Sequence, residues 1–369
     1  MAFSTDGSSR EAIQAIQFEV WPDCKSGCNF CYLNGTPRIT TDKQKKDNLL
    51  DVLNTLNDDT IMENYNAVGL IGGDFFQGQL KGVMNIWCDI LNKLRILLSS
   101  EKIKEVWIAS SLIDCIDGDL IGTLNILNRL DLKEGQRVTL CTSYDTIGRF
   151  KYNFEFDEAT EQDIQEGFVE IGCTTLEEFK KKLQFNPDRA NAWLDKINYI
   201  KDNFTNINIH VQIILTQDVI NRITENPNYF DFLTDLGCVI DFRYPSITRA
   251  DCPSATVIED YRSLLLAKYD EFPANFFIED RASFLHFLPI FANKYGLEKV
   301  KNLLHQPEMR SRRLKIYIDN VEIEDRWNDE RDRYLDCGHL IDGLCYINDD
   351  KHCIYCDIEK FLETQEESV

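Results

Sequence analysis

Six short runs rich in branched and aromatic residues, spaced along residues 13–242, constrain this chain more than any other feature. They are Ile13 to Trp21, Ala67 to Ile71, Glu105 to Ala109, Arg137 to Thr142, Ile207 to Leu215 and Cys238 to Phe242, and each reads as a strand. Apolar residues at helical spacing lie between or after them, at Thr41 to Leu56, Val83 to Leu98, Leu120 to Leu130, Asn186 to Phe204 and Tyr229 to Leu236. Strands that alternate with helices pair in parallel, because each crossover returns the chain to the same end of the sheet. The expected fold is therefore α/β, a partial (βα)6 TIM-like barrel over residues 1–250. Residues 251–369 are expected to form a C-terminal region without a readable motif as far as Leu335, of mixed helical character, followed by a small cysteine-rich metal-binding extension. In a barrel of this kind the ligand site lies on the loops beyond the strand C-termini.

The loop after the first of these strands carries Cys24-Lys-Ser-Gly-Cys28-Asn-Phe-Cys31. Three thiolates this close can serve one iron-sulfur cluster, and a four-iron cubane that normally takes four cysteines is left with one open iron. Half of a zinc site is the plainer reading of the same spacing. The second strand runs into Gly72-Gly73-Asp74, where missing side chains let a ligand approach the backbone, although Gly-Gly-Asp is on its own an ordinary turn. Thr142-Ser143-Tyr144-Asp145, followed by Arg149, puts hydroxyl, acid and guanidinium groups at the end of the fourth strand. Gln212 on the fifth strand and Arg243 after the sixth are weaker candidates of the same kind.

The triplet Cys24-x3-Cys28-x2-Cys31, with Phe30 before its last cysteine, resembles the signature of the radical S-adenosylmethionine superfamily. The resemblance implies that Cys24, Cys28 and Cys31 hold a [4Fe-4S] cluster, and that the amino and carboxylate groups of S-adenosylmethionine chelate its fourth iron. It further implies that Phe30 lies near the adenine. Gly72, Gly73 and Asp74 resemble the family's Gly-Gly-Glu motif, which contacts the cofactor's amino group, with Asp74 in place of the longer acid. By the same resemblance Ser143, Asp145, Arg149 and Gln212 are cofactor-binding candidates, with Arg149 suited to clamp a carboxylate in a fork. The implied activity is reductive cleavage of S-adenosylmethionine to a 5′-deoxyadenosyl radical that abstracts hydrogen from a substrate. The implied partner is an electron donor such as flavodoxin or ferredoxin. The chain departs from the family at Ile209-His-Val-Gln-Ile-Ile-Leu-Thr216, which lacks a glycine-containing adenine motif, and in an acid- and phenylalanine-rich insertion around residues 150–185. That insertion is either a flap over the site or a short surface hairpin.

Cys337, Cys345, Cys353 and Cys356 form a second cluster. Four thiols within twenty residues close either a tetrahedral zinc site or a second iron-sulfur cluster. In cysteine number and place they resemble the Twitch extension of peptide-modifying radical S-adenosylmethionine enzymes, a smaller relative of the SPASM domain, though not in spacing. A peptide or protein is thus one expected substrate class. A nucleotide-derived or other small metabolite, with structural zinc at the C-terminus, is the second reading, and a non-catalytic iron-sulfur or zinc protein the third. His210 and His305 belong to no constellation and read as structural.

The formal net charge of −22 argues against a large nucleic acid as partner, since its phosphates would meet a like-charged surface. No apolar run reaches membrane-spanning length: the best, Phe284 to Ala292, contains His286 and Pro289. The N-terminus lacks the basic start and apolar core of a signal peptide, and thirteen cysteines, seven of them in two tight clusters, suit metal ligation in a reducing compartment, so the expected location is the cytoplasm.

Overall fold

A computed structural model describes residues 14–26, 28, 40–144, 149–150, 152, 159–183, 185–214, 217–226 and 228–243, together with the strand residues 276–277, 310–315, 322–327, 340–341 and 344–345. The first six strands are β1 (Gln14–Glu19), β2 (Ala67–Ile71), β3 (Glu105–Ala109), β4 (Arg137–Ser143), β5 (Ile207–Ile214) and β6 (Val239–Arg243). Each lies beside its predecessor, and all run parallel. Sequential order matters physically. Right-handed crossovers repeated in one direction put every connecting helix on the same face, so the other face must curl inward to be covered. This is the connectivity of an open barrel.

The helices are α1 (Asp42–Asn57), α2 (Asp59–Met62), α3 (Met84–Ser99), α4 (Asp117–Asn128), α5 (Glu161–Ile171), α6 (Leu176–Lys182), α7 (Pro187–Asn203), α8 (Gln217–Glu225) and α9 (Asp231–Asp235). Local chemistry fixes their starts. Thr41 opens α1 with a capping box, its hydroxyl accepting from Gln44 N while Gln44 Oε1 accepts from Thr41 N. Asn186 caps α7 ahead of Pro187, a residue suited to the first helical turn. Outward residues of the strands, such as Phe18, Leu70, Ile108, Leu140 and Val211, join one core with Leu49, Trp87, Leu124 and Trp193 of α1, α3, α4 and α7. The inward set includes Gln17, Trp107, Thr139 and Gln212, because alternate strand residues face opposite ways. Gly69 makes room for Trp107: a Cβ on Gly69 would stand 2.4 Å from the indole.

The sheet continues past these six strands. β7 (Phe276–Phe277) pairs in parallel with β6, and β8 (Arg310–Lys315) pairs in parallel with β1. β9 (Glu322–Trp327) returns antiparallel to β8, giving the order β7-β6-β5-β4-β3-β2-β1-β8-β9. At residues 310–315 and 322–327 the expectation of mixed helix is therefore overturned. Arg-Ser-Arg-Arg-Leu-Lys has no apolar alternation to announce a strand, and its conformation comes from pairing with β1. A small hairpin, β10 (Leu340–Ile341) and β11 (Leu344–Cys345), stands apart from this sheet. Among the described residues no helix is long and apolar enough to cross a membrane.

Within the insertion, the described residues form the helical pair α5 and α6, joined through Phe168 and Phe179 with ring centroids 4.9 Å apart. Its base is tied where Tyr152 N donates to Leu183 O and Asn186 N donates to Phe150 O. Of the two forms left open for the insertion, a flap or a short surface hairpin, neither specified its elements: the described part is helical, each helix started by a threonine cap, Thr160 or Thr175.

Candidate functional site

The C-terminal ends of β1, β2 and β3 meet in a buried polar cluster around Asp74, which is 1% exposed. Its carboxylate accepts from Phe76 N at 2.9 Å, Ser111 N at 2.6 Å, Ser111 Oγ at 2.6 Å and Ser110 Oγ at 3.1 Å. Burial is the first cause acting on its pKa and raises it above the usual carboxylate value, while these donors pull the other way. The carbonyl of Asp74 accepts from Trp21 Nε1 at 3.2 Å, and the Trp21 ring lies 5.0 Å from that of Phe75, tilted by 52°.

The chain leaving β1 crosses directly over Gly72 and Gly73. Gly73 N donates to Trp21 O at 2.6 Å, and Asp74 N donates to Asp23 O at 2.8 Å. A Cβ on Gly73 would lie 2.0 Å from Asp23 O, and one on Gly72, whose φ is +118°, would lie 2.6 Å from Trp21 O. The clearance that two glycines provide is thus filled by the protein's own backbone, and no residue with a side chain fits there without displacing the loop.

That loop carries the cysteines. Asp23 closes its base, with one carboxylate oxygen accepting from Thr40 N at 3.0 Å and the other from the Thr40 hydroxyl. Asn48 of α1 adds a tie from its Nδ2 to Val20 O at 2.7 Å. Inside the loop, Lys25 N donates to Gln77 Oε1 at 2.7 Å, and Gln77 Nε2 reaches Ser26 Oγ at 3.3 Å, Ser111 Oγ at 3.1 Å and Ile113 O at 2.7 Å. Gln77 is 2% exposed and no sequence motif pointed to it. Its only signal is position, three residues after Asp74.

Neither Cys24 nor Cys28 is in a disulfide; Cys24 has its side chain reaching solvent and Cys28 is buried. The protein atoms crowded about the Cys24 sulfur raise its pKa by desolvation. Hydrogen bonds from Ser26 oppose this, the charge of Asp74 adds to it, and the Arg149 guanidinium counters. Arg149, buried at 9% exposure, therefore lies within electrostatic reach of the cysteine loop although it follows β4. Nearby Cys115 sits 3.8 Å from Ser110 Oγ, and burial with the Asp74 charge pushes its thiol up to about 12.

On the adjoining rim, Ser143 and Gln212 are register partners on β4 and β5, both half-buried, and Tyr144 N donates to Gln212 O at 3.1 Å. Arg243 ends β6, two strands from β4. His210 is buried on β5 opposite Cys141 of β4. Phe30, Cys31, Asp145, Cys337, Cys353 and Cys356 lie outside the described residues, and Cys345 is described only as the end of β11, paired with Leu340.

No protein-family model and no curated protein sequence matches this chain. Among solved structures it is similar to SuiB of Streptococcus suis, with 15% identity and a TM-score of 0.46 over 83% of this chain and 58% of that one. It is also similar to anSMEcpe with bound AdoMet, with 8% identity and a TM-score of 0.40 over 70% of this chain and 60% of that one. For anSMEcpe with bound AdoMet and the Cp18Cys peptide, identity is 9% and the TM-score 0.39, over 70% of this chain and 60% of the other. The chain thus spans about three-fifths of the length of each.

Proposed function

We propose that this chain is a radical S-adenosylmethionine enzyme whose cysteine loop holds a [4Fe-4S] cluster. One observation carries the reading: Cys24 and Cys28, the first two thiols of a Cys-x3-Cys-x2-Cys run, form no disulfide and stand on a braced loop beyond the C-terminal end of β1. The donor set fits the group, since soft thiolates clustered on one loop are what such clusters take. When bound, a cluster with an open iron passes an electron to S-adenosylmethionine and so supplies a 5′-deoxyadenosyl radical for hydrogen abstraction. The chain's own part is to hold and shield. Asp23 and Thr40 close the loop base, and Arg149 offers a buried positive charge beside it for a carboxylate. In this reading Cys31 is the third ligand and Phe30 the residue near the adenine, and Ser143 and Gln212, with Asp145, are the polar candidates for the ribose or methionine end. With the Asp74 carboxylate engaged internally, any contact to a cofactor amino group from the Gly72-Gly73-Asp74 turn falls to its backbone.

The substrate in this reading is a peptide or protein. Support comes from Cys337, Cys345, Cys353 and Cys356, a set suited to an auxiliary cluster or a zinc ion, and from an acidic chain that favours neutral or basic partners. A small electron-transfer protein of the flavodoxin or ferredoxin kind would deliver the electron, in the cytoplasm. With zinc at the C-terminal cysteines, the same chemistry on a small metabolite becomes the better reading.

Oxygen-free, reconstituted protein tests both levels. The wild type is expected to form 5′-deoxyadenosine from S-adenosylmethionine under dithionite, and Cys28→Ala to lose that activity by about a thousandfold or more. A wild type that never cleaves the sulfonium, or a Cys28→Ala variant that still does, overturns the assignment. About eight irons per chain support the auxiliary cluster and the peptide reading, whereas about four irons with one zinc support the small-metabolite reading.

A further inference from the structure

We infer that Gln77 is the positioning residue that sets the shape of the cysteine loop, tying the exits of β1, β2 and β3 into one unit. The inference deepens the proposed function, resting on the cysteine loop as the cofactor-holding segment. The brace itself is a matter of geometry.

Gln77 sits in the turn after β2, almost wholly buried, and its amide spans two other strand exits. Its oxygen accepts from Lys25 N at 2.7 Å, inside the Cys24–Cys28 span. Its nitrogen donates to Ile113 O at 2.7 Å and Ser111 Oγ at 3.1 Å beyond β3, with Ser26 Oγ at 3.3 Å as a third, longer acceptor. The neighbours decide the orientation of the amide. A carbonyl faces the nitrogen and an N–H faces the oxygen, so a flipped amide would set like against like. For the same reason glutamate cannot substitute, because an ionised carboxylate has nothing to donate to the Ile113 carbonyl.

The hydrogen bonds also run in one sense. Gln77 Nε2 donates to Ser111 Oγ, and Ser111 Oγ donates to Asp74 Oδ2 at 2.6 Å. A buried carboxylate at the end of such a chain polarises each donor in turn and strengthens the links before it. This gives the desolvated Asp74 a task at the site that needs no contact with a ligand: it anchors the hydroxyl that anchors the amide that holds Lys25 and Ser26. Cys24 and Cys28 flank those two residues, so their relative placement follows from one side chain on a different strand exit.

Gln77→Met, which keeps length but removes every hydrogen bond, and Ser26→Ala, which removes one acceptor, test the brace. The first measurement is site-resolved alkylation of the metal-free, reduced full-length chain. Cys238, a buried thiol at the start of β6, serves as internal control. In Gln77→Met, Cys28 is expected to label at least about tenfold faster with Cys238 unchanged, the mark of local opening, and Ser26→Ala to show a smaller rise of the same pattern. Unchanged Cys28 labelling, or Cys28 and Cys238 rising together, overturns the inference, the latter because Gln77 would then support only general stability.

The second measurement is made on reconstituted protein. Gln77→Met is expected to raise the KM for S-adenosylmethionine by about tenfold, to lower kcat less, and to weaken the change that the added cofactor makes in the EPR signal of the reduced cluster. Unaltered kinetic constants and spectra alongside faster Cys28 labelling would also overturn it, since a brace that loosens without consequence positions nothing. If the wild type takes up no cluster, the functional assignment fails on its own, and the alkylation pattern still decides the geometric claim.

Discussion

The two halves of the barrel rim are held by different forces. At β1–β3 the loops are fixed by buried hydrogen bonds that converge on Asp74 and Gln77. At β4–β6 they are held by rings: Tyr144 stands 5.1 Å from Phe150, 5.2 Å from Trp193 and 5.3 Å from Phe232, centroid to centroid. Hydrogen bonds are directional, and a buried group that loses its partner keeps the cost of leaving water. Ring packing is less directional, so it sustains large burial while tolerating small shifts. The contrast fits a division of labour in which one side holds thiols at fixed positions and the other forms a wall that can adjust around what enters.

The largest expected effect is on the ring side. Trp193 is 1% exposed, contacts Tyr144 and Phe150, and donates from Nε1 to Thr142 Oγ1 at 3.2 Å. Trp193→Ala should cost about 3–5 kcal/mol of stability, read as a lower urea midpoint. Alkylation of Cys28 under native conditions should not change. If it rises as much as the global destabilisation predicts, the two halves are one cooperative unit and the contrast fails.

A smaller stability change with a larger local consequence is expected on the polar side. Ser111→Ala removes a hydroxyl that donates to Asp74 and accepts from Gln77 and from Ile113 N. The loss should be about 1–3 kcal/mol, because a buried carboxylate and a buried amide each lose a partner. Here Cys28 should become more reactive while near-ultraviolet circular dichroism of the ring cluster stays as it was. A change in the ring signal instead would place the two networks in contact.

Much of the fold was legible in the sequence because it depends on repeated local patterns. Val106-Trp-Ile108 alternates a buried with a half-buried face, Leu140-Cys-Thr142 is buried on both, and the helices between the strands carry apolar residues at regular spacing. β8 was not legible, because Arg310 to Lys315 becomes a strand only when β1 offers an edge. Helices α5 and α6 were not legible either: the acids and phenylalanines of residues 150–185 left a flap and a surface hairpin equally open, and the helical signal lay in the threonine caps. At the site, two glycines marked a close approach, but the expected ligand is replaced there by the backbone of Trp21 and Asp23, because a glycine does not say what comes near it. Gln77 belongs to no pattern at all. A lone glutamine gains meaning only when three strand exits surround it, and that arrangement exists in space and not along the chain.

Alkaline titration gives the smallest effect and can sharpen the contrast, because each half buries its own weak acid. Burial pushes Cys115, beside Ser110 on the polar side, up to about 12, and Cys238, at the start of β6, up to about 11, from an ordinary 9.0. A folded-state pKa above the unfolded one means that the neutral thiol contributes stability in full below pH 9, and that this contribution is lost as pH rises through the folded values. The window is therefore between 9 and about 12. At pH 10 each thiol should withdraw about 1 kcal/mol relative to pH 8, since only the unfolded chain then gains by ionising. Urea midpoints measured at the two pH values should fall less in Cys115→Ala and in Cys238→Ala than in the wild type, by similar amounts. If only Cys115→Ala flattens the profile, the alkaline weakness belongs to the hydrogen-bonded half alone: ionising Cys115 beside the Asp74 carboxylate would then disturb the polar brace, while the β6 end absorbs its charge by moving.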